Sequence, residues 1–139
     1  MLLGFMLVSA LMLFASVSYA TVVYKATCAG SAVVPPVSSK ATGSVSITLL
    51  NTSYASGYFY ATNINQMTMA HLHAGAVGKN GPVIAWAFNA TYGPISGSVK
   101  ASFTFNPSLN NVSALLAAGQ VYFNIHTTAY PVGEIRGQL

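Results

Sequence analysis

Apolar and polar residues alternate along most of the chain after residue 20, with the period of two that β-strands show. Within residues 42–50, for example, Val45, Ile47 and Leu49 share one face, while serine and threonine occupy the positions between them. Such a segment is typical of a strand with one buried face. Similar patterns, separated by turn-forming residues, predict further strands over residues 21–28, 54–63, 67–73, 83–88, 96–105, 120–127 and 134–139.

One segment departs from this pattern and predicts a helix. Asn106 is a suitable N-cap, Pro107 suits the first turn, and Gly119 suits the position after the last turn. Between them, apolar residues recur at helical spacing, namely Leu109, Val112, Leu115 and Leu116. We therefore expect one short helix from residue 107 to residue 118. About eight strands and one short helix make an all-β fold, either a Greek-key β-sandwich or a flattened barrel.

The first 20 residues have the features of a secretory signal peptide. An apolar run over residues 2–15 is followed by Ser18-Tyr19-Ala20, with small residues where a signal peptidase cleaves. No basic residue precedes the run, so a retained membrane anchor is the alternative, although about 15 apolar residues are few for a bilayer. We predict cleavage after Ala20, a secreted chain without a membrane span, and a single domain over residues 21–139.

Charged residues are scarce in this chain. Its 139 residues include five lysines and arginines and one acid, Glu134, which gives a formal net charge of +4. The basic residues are dispersed, and this argues against binding to nucleic acid or to an anionic membrane. A surface with so little charge is expected to stay soluble in another way, through glycans or through contact with other copies. We therefore expect a homo-oligomer, or association with an extracellular protein or matrix partner.

Sequence motifs are present for both glycans and contacts between chains. Three N-x-S/T sequons predict glycosylation at Asn51, Asn89 and Asn111. Cys28 is the only cysteine, which rules out a disulfide within the chain. In an oxidising compartment a single cysteine is either buried or paired with another chain. Cys28 is therefore a candidate for an intermolecular disulfide.

The three histidines are the main candidates for chemistry. His71 and His73 lie two residues apart in a predicted strand and so share a face, and His126 lies in a strand near the C-terminus. Three imidazoles suffice for a zinc or copper ion with an open fourth position. By strand parity Met67 and Met69 fall on the same face, and thioethers beside imidazoles favour copper. The alternative is a structural role, in which the imidazoles hydrogen-bond the loop at residues 75–82 to the last strands.

Three blocks of this sequence carry a family resemblance. They are Val34-Pro35-Pro36-Val37 followed by Ala41-Thr42-Gly43; His71-Leu72-His73 with Gly75, Gly78 and Asn80-Gly81-Pro82-Val83; and residues 116–139. In these blocks the chain resembles the CHRD domain, found in chordin and in secreted microbial proteins, although the acid usual before Val-Pro-Pro is Val33 here. The resemblance implies an extracellular module of uncertain role. The His-x-His strand is also similar to the copper-binding strand of Cu/Zn superoxide dismutase, another Greek-key sandwich, by analogy of fold and motif only. The expected sandwich or barrel is of a superoxide-dismutase-like or immunoglobulin-like type.

The sequence contains few combinations of residues that could carry out catalysis. General acid–base chemistry with carboxylates needs two of them, whereas Glu134 is alone, and Cys28 is far from the histidines in sequence. Glu134 and Arg136 share a face of the last strand, where we expect an ion pair or a hydrogen bond to the loop at residues 75–82. The alternative is that the Glu134 carboxylate lies near the histidines. The sequence therefore predicts a non-enzymatic structural or binding module. A copper or zinc site is the second hypothesis, and superoxide dismutation, which requires bound copper, is a third.

Overall fold

The computed structural model describes residues 20–139, and the segment of the predicted signal peptide before Ala20 lies outside them. The strands within this range are β1 Val22–Ala29, β2 Thr42–Leu49, β3 Ala55–Ala74, β4 Val83–Asn89, β5 Ile95–Phe105, β6 Val121–Thr127 and β7 Ile135–Gln138. One α-helix, α1 (Val112–Ala117), and short 3-10 helices at Gly30–Ala32 and Leu109–Asn111 complete the described elements. The predicted all-β class with one short helix is confirmed. No helix in residues 20–139 has the length and apolar character needed to cross a membrane.

Five of the strands close into an antiparallel barrel. β1 pairs with β2, β2 with the first half of β3, and the second half of β3 with β6. β6 pairs with β7, which returns to β1 through the pair Ala29–Arg136. β4 and β5 pair with the remaining edge of β3, which is therefore the strand that joins all parts of the sheet. A Greek-key order and a superoxide-dismutase-like or immunoglobulin-like type remain predictions.

The barrel interior is filled by the apolar side chains that alternation places on the inner faces of the strands. Ile47 of β2, Phe59 of β3 and Phe123 of β6 are fully buried, and the ring centroids of Phe59 and Phe123 are 5.2 Å apart. Burial of each such side chain is worth about 1.5–3 kcal/mol. Packing of these side chains therefore fixes the strands that carry the residues of the outer face.

The two strands predicted over residues 54–63 and 67–73 are a single strand, β3, with irregularities inside it. Its register against β5 shifts on both sides of Ile64, and its register against β6 shifts between Met67 and Met69. A shift of one residue moves a side chain to the other face of a strand. Met67 accordingly belongs to the apolar core, and its predicted place on the face of His71 is wrong.

Helix α1 begins at Val112 rather than at residue 107. Asn110 and Asn111, which precede it, adopt positive φ angles of 53° and 57°, a conformation that interrupts a right-handed helix. Asparagine tolerates this conformation better than most residues, and the predicted first turns are a 3-10 helix instead. The predicted end is confirmed, because Gly119 follows the last turn with a φ of 65°.

β6 is buried on both faces over its whole length, unlike the other strands in the described range. Its inward residues, Phe123 and Ile125, pack in the barrel core. Its outward residues are covered by the loops at residues 75–82 and 128–134, which hydrogen-bond to Tyr122, Asn124 and His126. The fold therefore creates a second buried layer, outside the barrel and largely polar.

Candidate metal centre

His71, His73 and His126 come together in this outer layer. β3 and β6 are antiparallel neighbours, with Met69 opposite His126 and His73 opposite Tyr122. The ring centroids are 4.9 Å apart for His71 and His126, 5.5 Å for His71 and His73, and 5.7 Å for His73 and His126. The sequence left the convergence of these residues open, and the strand pairing brings it about. Metal binding by the cluster remains a prediction.

Backbone carbonyls fix the orientation of two of the three rings. Nδ1 of His73 donates to the Gly81 carbonyl oxygen at 3.0 Å, and Nδ1 of His126 donates to that of Pro131 at 2.9 Å. Because a carbonyl oxygen only accepts, each Nδ1 carries the proton and each Nε2 has a free lone pair. Nε2 of His126 accepts a hydrogen bond from Nδ1 of His71 at 3.1 Å. Metal-binding histidines are commonly oriented in this way, through the ring nitrogen that does not bind the metal.

Two ring nitrogens of the cluster are buried and have no hydrogen-bond partner in residues 20–139, namely Nε2 of His71 and Nε2 of His73. The hydrogen bonds made by Nδ1 in the same rings leave both Nε2 atoms as acceptors. An unsatisfied buried acceptor costs about 1–3 kcal/mol. The cluster is therefore suited to a species that lone pairs can bind, such as a metal cation.

The spacing of the nitrogens fits a single metal ion. One ring nitrogen from each histidine can act as a ligand, and these three nitrogens lie within 4.8 Å of one another. Zinc–nitrogen bonds of about 2.0–2.1 Å place two ligands of a tetrahedral ion about 3.3 Å apart. Nε2 of His126 accepts the hydrogen bond from Nδ1 of His71 at 3.1 Å, and this bond would have to break for Nε2 of His126 to bind an ion held by Nε2 of His71 and Nε2 of His73.

All three imidazoles are held in the neutral form, which is the form that binds metal. Burial, together with the neighbouring His126 and His73, lowers the pKa of His71 from 6.5 to about 4. Burial also lowers the pKa of His73, although its hydrogen bond to Gly81 acts in the opposite direction. The pKa of His126 is likewise lowered by burial against the effect of its bond to Pro131.

Aromatic side chains enclose the cluster. Trp86 of β4 meets His71 edge-on, with ring centroids 4.3 Å apart, and Tyr122 stacks on His73 at 4.8 Å with an interplanar angle of 8°. His71, His73 and His126 are 4%, 8% and 6% exposed, whereas Trp86 is 57% exposed. Trp86 thus separates the imidazoles from solvent on the β4 side.

Side chains of β6 and β7 hold the loop at residues 75–82 over the cluster. The Tyr122 hydroxyl accepts a hydrogen bond from the Gly81 amide at 3.1 Å. Arg136 donates to two carbonyl oxygens of the loop at 2.9 and 3.0 Å, and Gln138 donates to a third at 2.9 Å. Position 81 requires glycine, because a Cβ there would overlap the carbonyl oxygen of Ala74. The loop is therefore a fixed cover that also orients His73.

Glu134 and Arg136 have separate roles. Arg136 makes the loop bonds and lies over the Tyr122 ring, with Cζ 3.5 Å from the centroid. The carboxylate of Glu134 accepts a hydrogen bond from the Ser39 hydroxyl at 2.6 Å, and it is not a member of the histidine cluster. The predicted bond to the loop is confirmed for Arg136, and the ion-pair alternative is wrong.

The other predicted sites lie away from the cluster. Cys28 is 2% exposed in the barrel core, and burial raises the pKa of its thiol to about 12. This position agrees with the buried alternative, and the intermolecular disulfide stays a prediction that would require β1 to open. The sequon residues are all exposed, as glycan attachment requires, and their glycosylation stays a prediction: Asn51, Asn89 and Asn111.

Tyr122, Asn124 and Trp86 border the histidines, and none of the three was predicted from the sequence to do so. Tyr122 and Asn124 have the strand parity of His126, so the alternation within β6 contains the signal needed to place them on its face. Trp86 reaches His71 through the pairing of β3 with β4, and alternation carries no information on which strands pair. The residues that border the cluster are therefore set partly by alternation within one strand and partly by which strands pair.

Fold and cluster together define a small antiparallel β-barrel module with a buried histidine cluster outside the barrel. The CHRD domain family model matches residues 24–139, and the chain belongs to the CHRD domain family. The predicted resemblance is therefore confirmed, and CHRD domains are extracellular-type modules. Comparisons with curated proteins and with solved structures returned no match.

Proposed function

We propose that this protein is a secreted, non-enzymatic CHRD module that binds one copper or zinc ion through His71, His73 and His126. The observation that carries the proposal is the pair of buried nitrogens without partners in residues 20–139, Nε2 of His71 and Nε2 of His73. In the absence of a ligand these lone pairs are left unsatisfied at a cost in free energy. A metal cation would use both of them.

The role of His71 supports metal binding over a purely structural function. His73 and His126 each hold a loop carbonyl, as a structural role would require. The hydrogen bond of His71 instead goes to His126 inside the cluster, and its other nitrogen is one of the two without a partner. A residue that served only to attach a loop would be expected to bond to that loop.

The state of the remaining reactive groups supports a non-enzymatic role. Glu134, the one acid of the chain, bonds to Ser39 outside the cluster. The Cys28 thiol is kept protonated in the core, because burial raises its pKa to about 12. Neither group is placed to act with the histidines as a base or a nucleophile. Secretion is supported by the predicted signal peptide and by the extracellular character of CHRD domains.

Metal analysis of the mature protein, purified without a chelator or a histidine tag, tests the proposal. We expect one copper or zinc ion per chain. His71→Phe removes a ligand without removing a bond to either loop, and we expect it to abolish binding. Tyr122→Phe is the matched control, because it removes the hydroxyl that bonds Gly81 but keeps a ring stacked on His73. We expect this variant to keep the ion.

Two results would contradict the proposal. The first is a wild-type protein that is free of metal and takes up neither ion when it is added. The second is a folded His71→Phe variant that binds as tightly as the wild type. The first result would leave His73 and His126 as residues that hold loops in place. The second would show that the bound ion does not depend on His71.

Self-assembly is a second proposed property, and the exposed tyrosines of β3 and the turn before it support it. Tyr54, Tyr58 and Tyr60 are 47%, 45% and 40% exposed. The whole chain has only six charged side chains, five of lysine or arginine and one of glutamate. Exposed apolar and aromatic patches commonly mark contact sites. We expect the unglycosylated mature protein to sediment as more than a monomer at neutral pH, and a clean monomer would remove the basis of this proposal.

A further inference from the structure

The donor set of the histidine cluster is electrically neutral. Its members are three imidazoles. Glu134, the one acid of the chain, is not a member, because its carboxylate is bonded to Ser39. A metal ion held by His71, His73 and His126 would therefore keep its full positive charge. No anionic ligand from residues 20–139 would offset it.

Burial makes that charge costly. The three histidines are 4–8% exposed, and the two nitrogens without partners are inaccessible to solvent. The cost of moving an ion from water into a site of low polarity rises with the square of its charge, so a monovalent ion meets about one quarter of the cost of a divalent ion of the same size. The desolvation cost thus favours a monovalent ion over a divalent one.

A fixed cation adds to this discrimination. Arg136 lies over the ring of Tyr122 at 3.5 Å, and the same ring stacks on His73 at 4.8 Å. The guanidinium hydrogen-bonds to neutral oxygens, those of two loop carbonyls and of the Asn80 and Gln138 side chains, so its charge is not cancelled. It repels a divalent ion in the cluster about twice as strongly as a monovalent one.

We propose that the cluster binds Cu(I) in preference to Zn(II) and to Cu(II). Of these three ions, Cu(I) is the one with a single charge. This inference rests on the proposed function and goes further by naming the ion and its oxidation state. The preference comes from the neutrality and burial of the ligands and from Arg136.

Competition titrations of the metal-free mature protein test the preference. Cu(I) is supplied under anaerobic, reducing conditions against a Cu(I)-specific chelator, and Zn(II) and Cu(II) are titrated against chelators of known affinity at the same pH. We expect one Cu(I) per chain, with a Kd at least about tenfold below those for Zn(II) and Cu(II). Equal or tighter binding of Zn(II) or Cu(II) would overturn this inference and leave the proposed function intact. Failure of all three ions to bind would overturn both.

Asn124→Asp tests the physical cause. Asn124 lies directly opposite His71 on β6, and its buried Oδ1 has no partner in the described residues. An aspartate there would add one negative charge beside the cluster with almost no change in shape. We expect the preference for Cu(I) over Zn(II) to fall at least about tenfold. Asn51→Asp, at an exposed site distant in sequence, is the control and should leave the preference unchanged.

An unchanged preference in a folded Asn124→Asp variant would overturn the electrostatic explanation. The side-chain amide of Asn124 donates to the Val132 carbonyl, so circular dichroism must first establish that the variant folds. If it does not fold, the titrations of the wild-type protein decide the inference by themselves.

Discussion

Acidification is expected to destabilise the metal-free protein through its buried histidines. The pKa of His71 is lowered from 6.5 to about 4, so between these pH values the unfolded chain binds a proton that the folded chain does not. Stability is therefore complete above about pH 6.5 and falls as the pH drops towards 4. At about 1.4 kcal/mol per pH unit, His71 alone accounts for at most roughly 3 kcal/mol. His73 and His126 act in the same direction, because burial lowers the pKa of each.

Urea unfolding at a series of pH values from about 7.5 to about 4 measures this effect. Trp86 is the only tryptophan and touches His71, so its fluorescence reports on the cluster. The comparison variant is His71→Phe, which keeps an aromatic ring against Trp86 but has no group to protonate. We expect its free energy of unfolding to depend less on pH than that of the wild type, by up to about 3 kcal/mol over this range.

A wild-type free energy of unfolding that stays constant between pH 6.5 and 4 would refute the reasoning. The same would follow if His71→Phe lost as much stability on acidification as the wild type. Metal provides an independent check, because an ion competes with protons for the same lone pairs. The metal-loaded protein should therefore keep its stability to a lower pH than the metal-free protein.

Two further predictions concern the core and the surface. Phe59→Ala removes a fully buried ring that contacts Phe123, and we expect it to lower the free energy of unfolding by about 3–5 kcal/mol in urea titrations; a loss below about 1 kcal/mol would contradict the assigned core. Secretion from a eukaryotic cell should give a mass that falls on treatment with an N-glycosidase, and glutamine at each sequon should remove one glycan. A mass equal to that of the bare chain would contradict glycosylation at Asn51, Asn89 and Asn111.

Local pattern was enough to predict most of the elements of this fold. The strand positions follow from alternation, which depends only on neighbouring residues, and the helix ends at Gly119 as its sequence predicts. Alternation failed where an irregularity within a strand shifts its register by a residue. The register shift between Met67 and Met69 places Met67 in the core, and no rule of alternation indicates where such a shift occurs.

The sequence by itself determined the class of the protein, the His71-x-His73 pair on one strand and the scarcity of charge, because each of these is a property of residues close together in the chain. Only the tertiary structure decided that His126 joins the pair, since that contact depends on the pairing of β3 with β6 across 55 residues of sequence. It also decided that two imidazole nitrogens are buried without hydrogen-bond partners among residues 20–139, and that Arg136, not Glu134, bonds to the loop at residues 75–82. Burial and hydrogen bonding are set by how distant segments pack, and alternation along one strand carries no information about that packing.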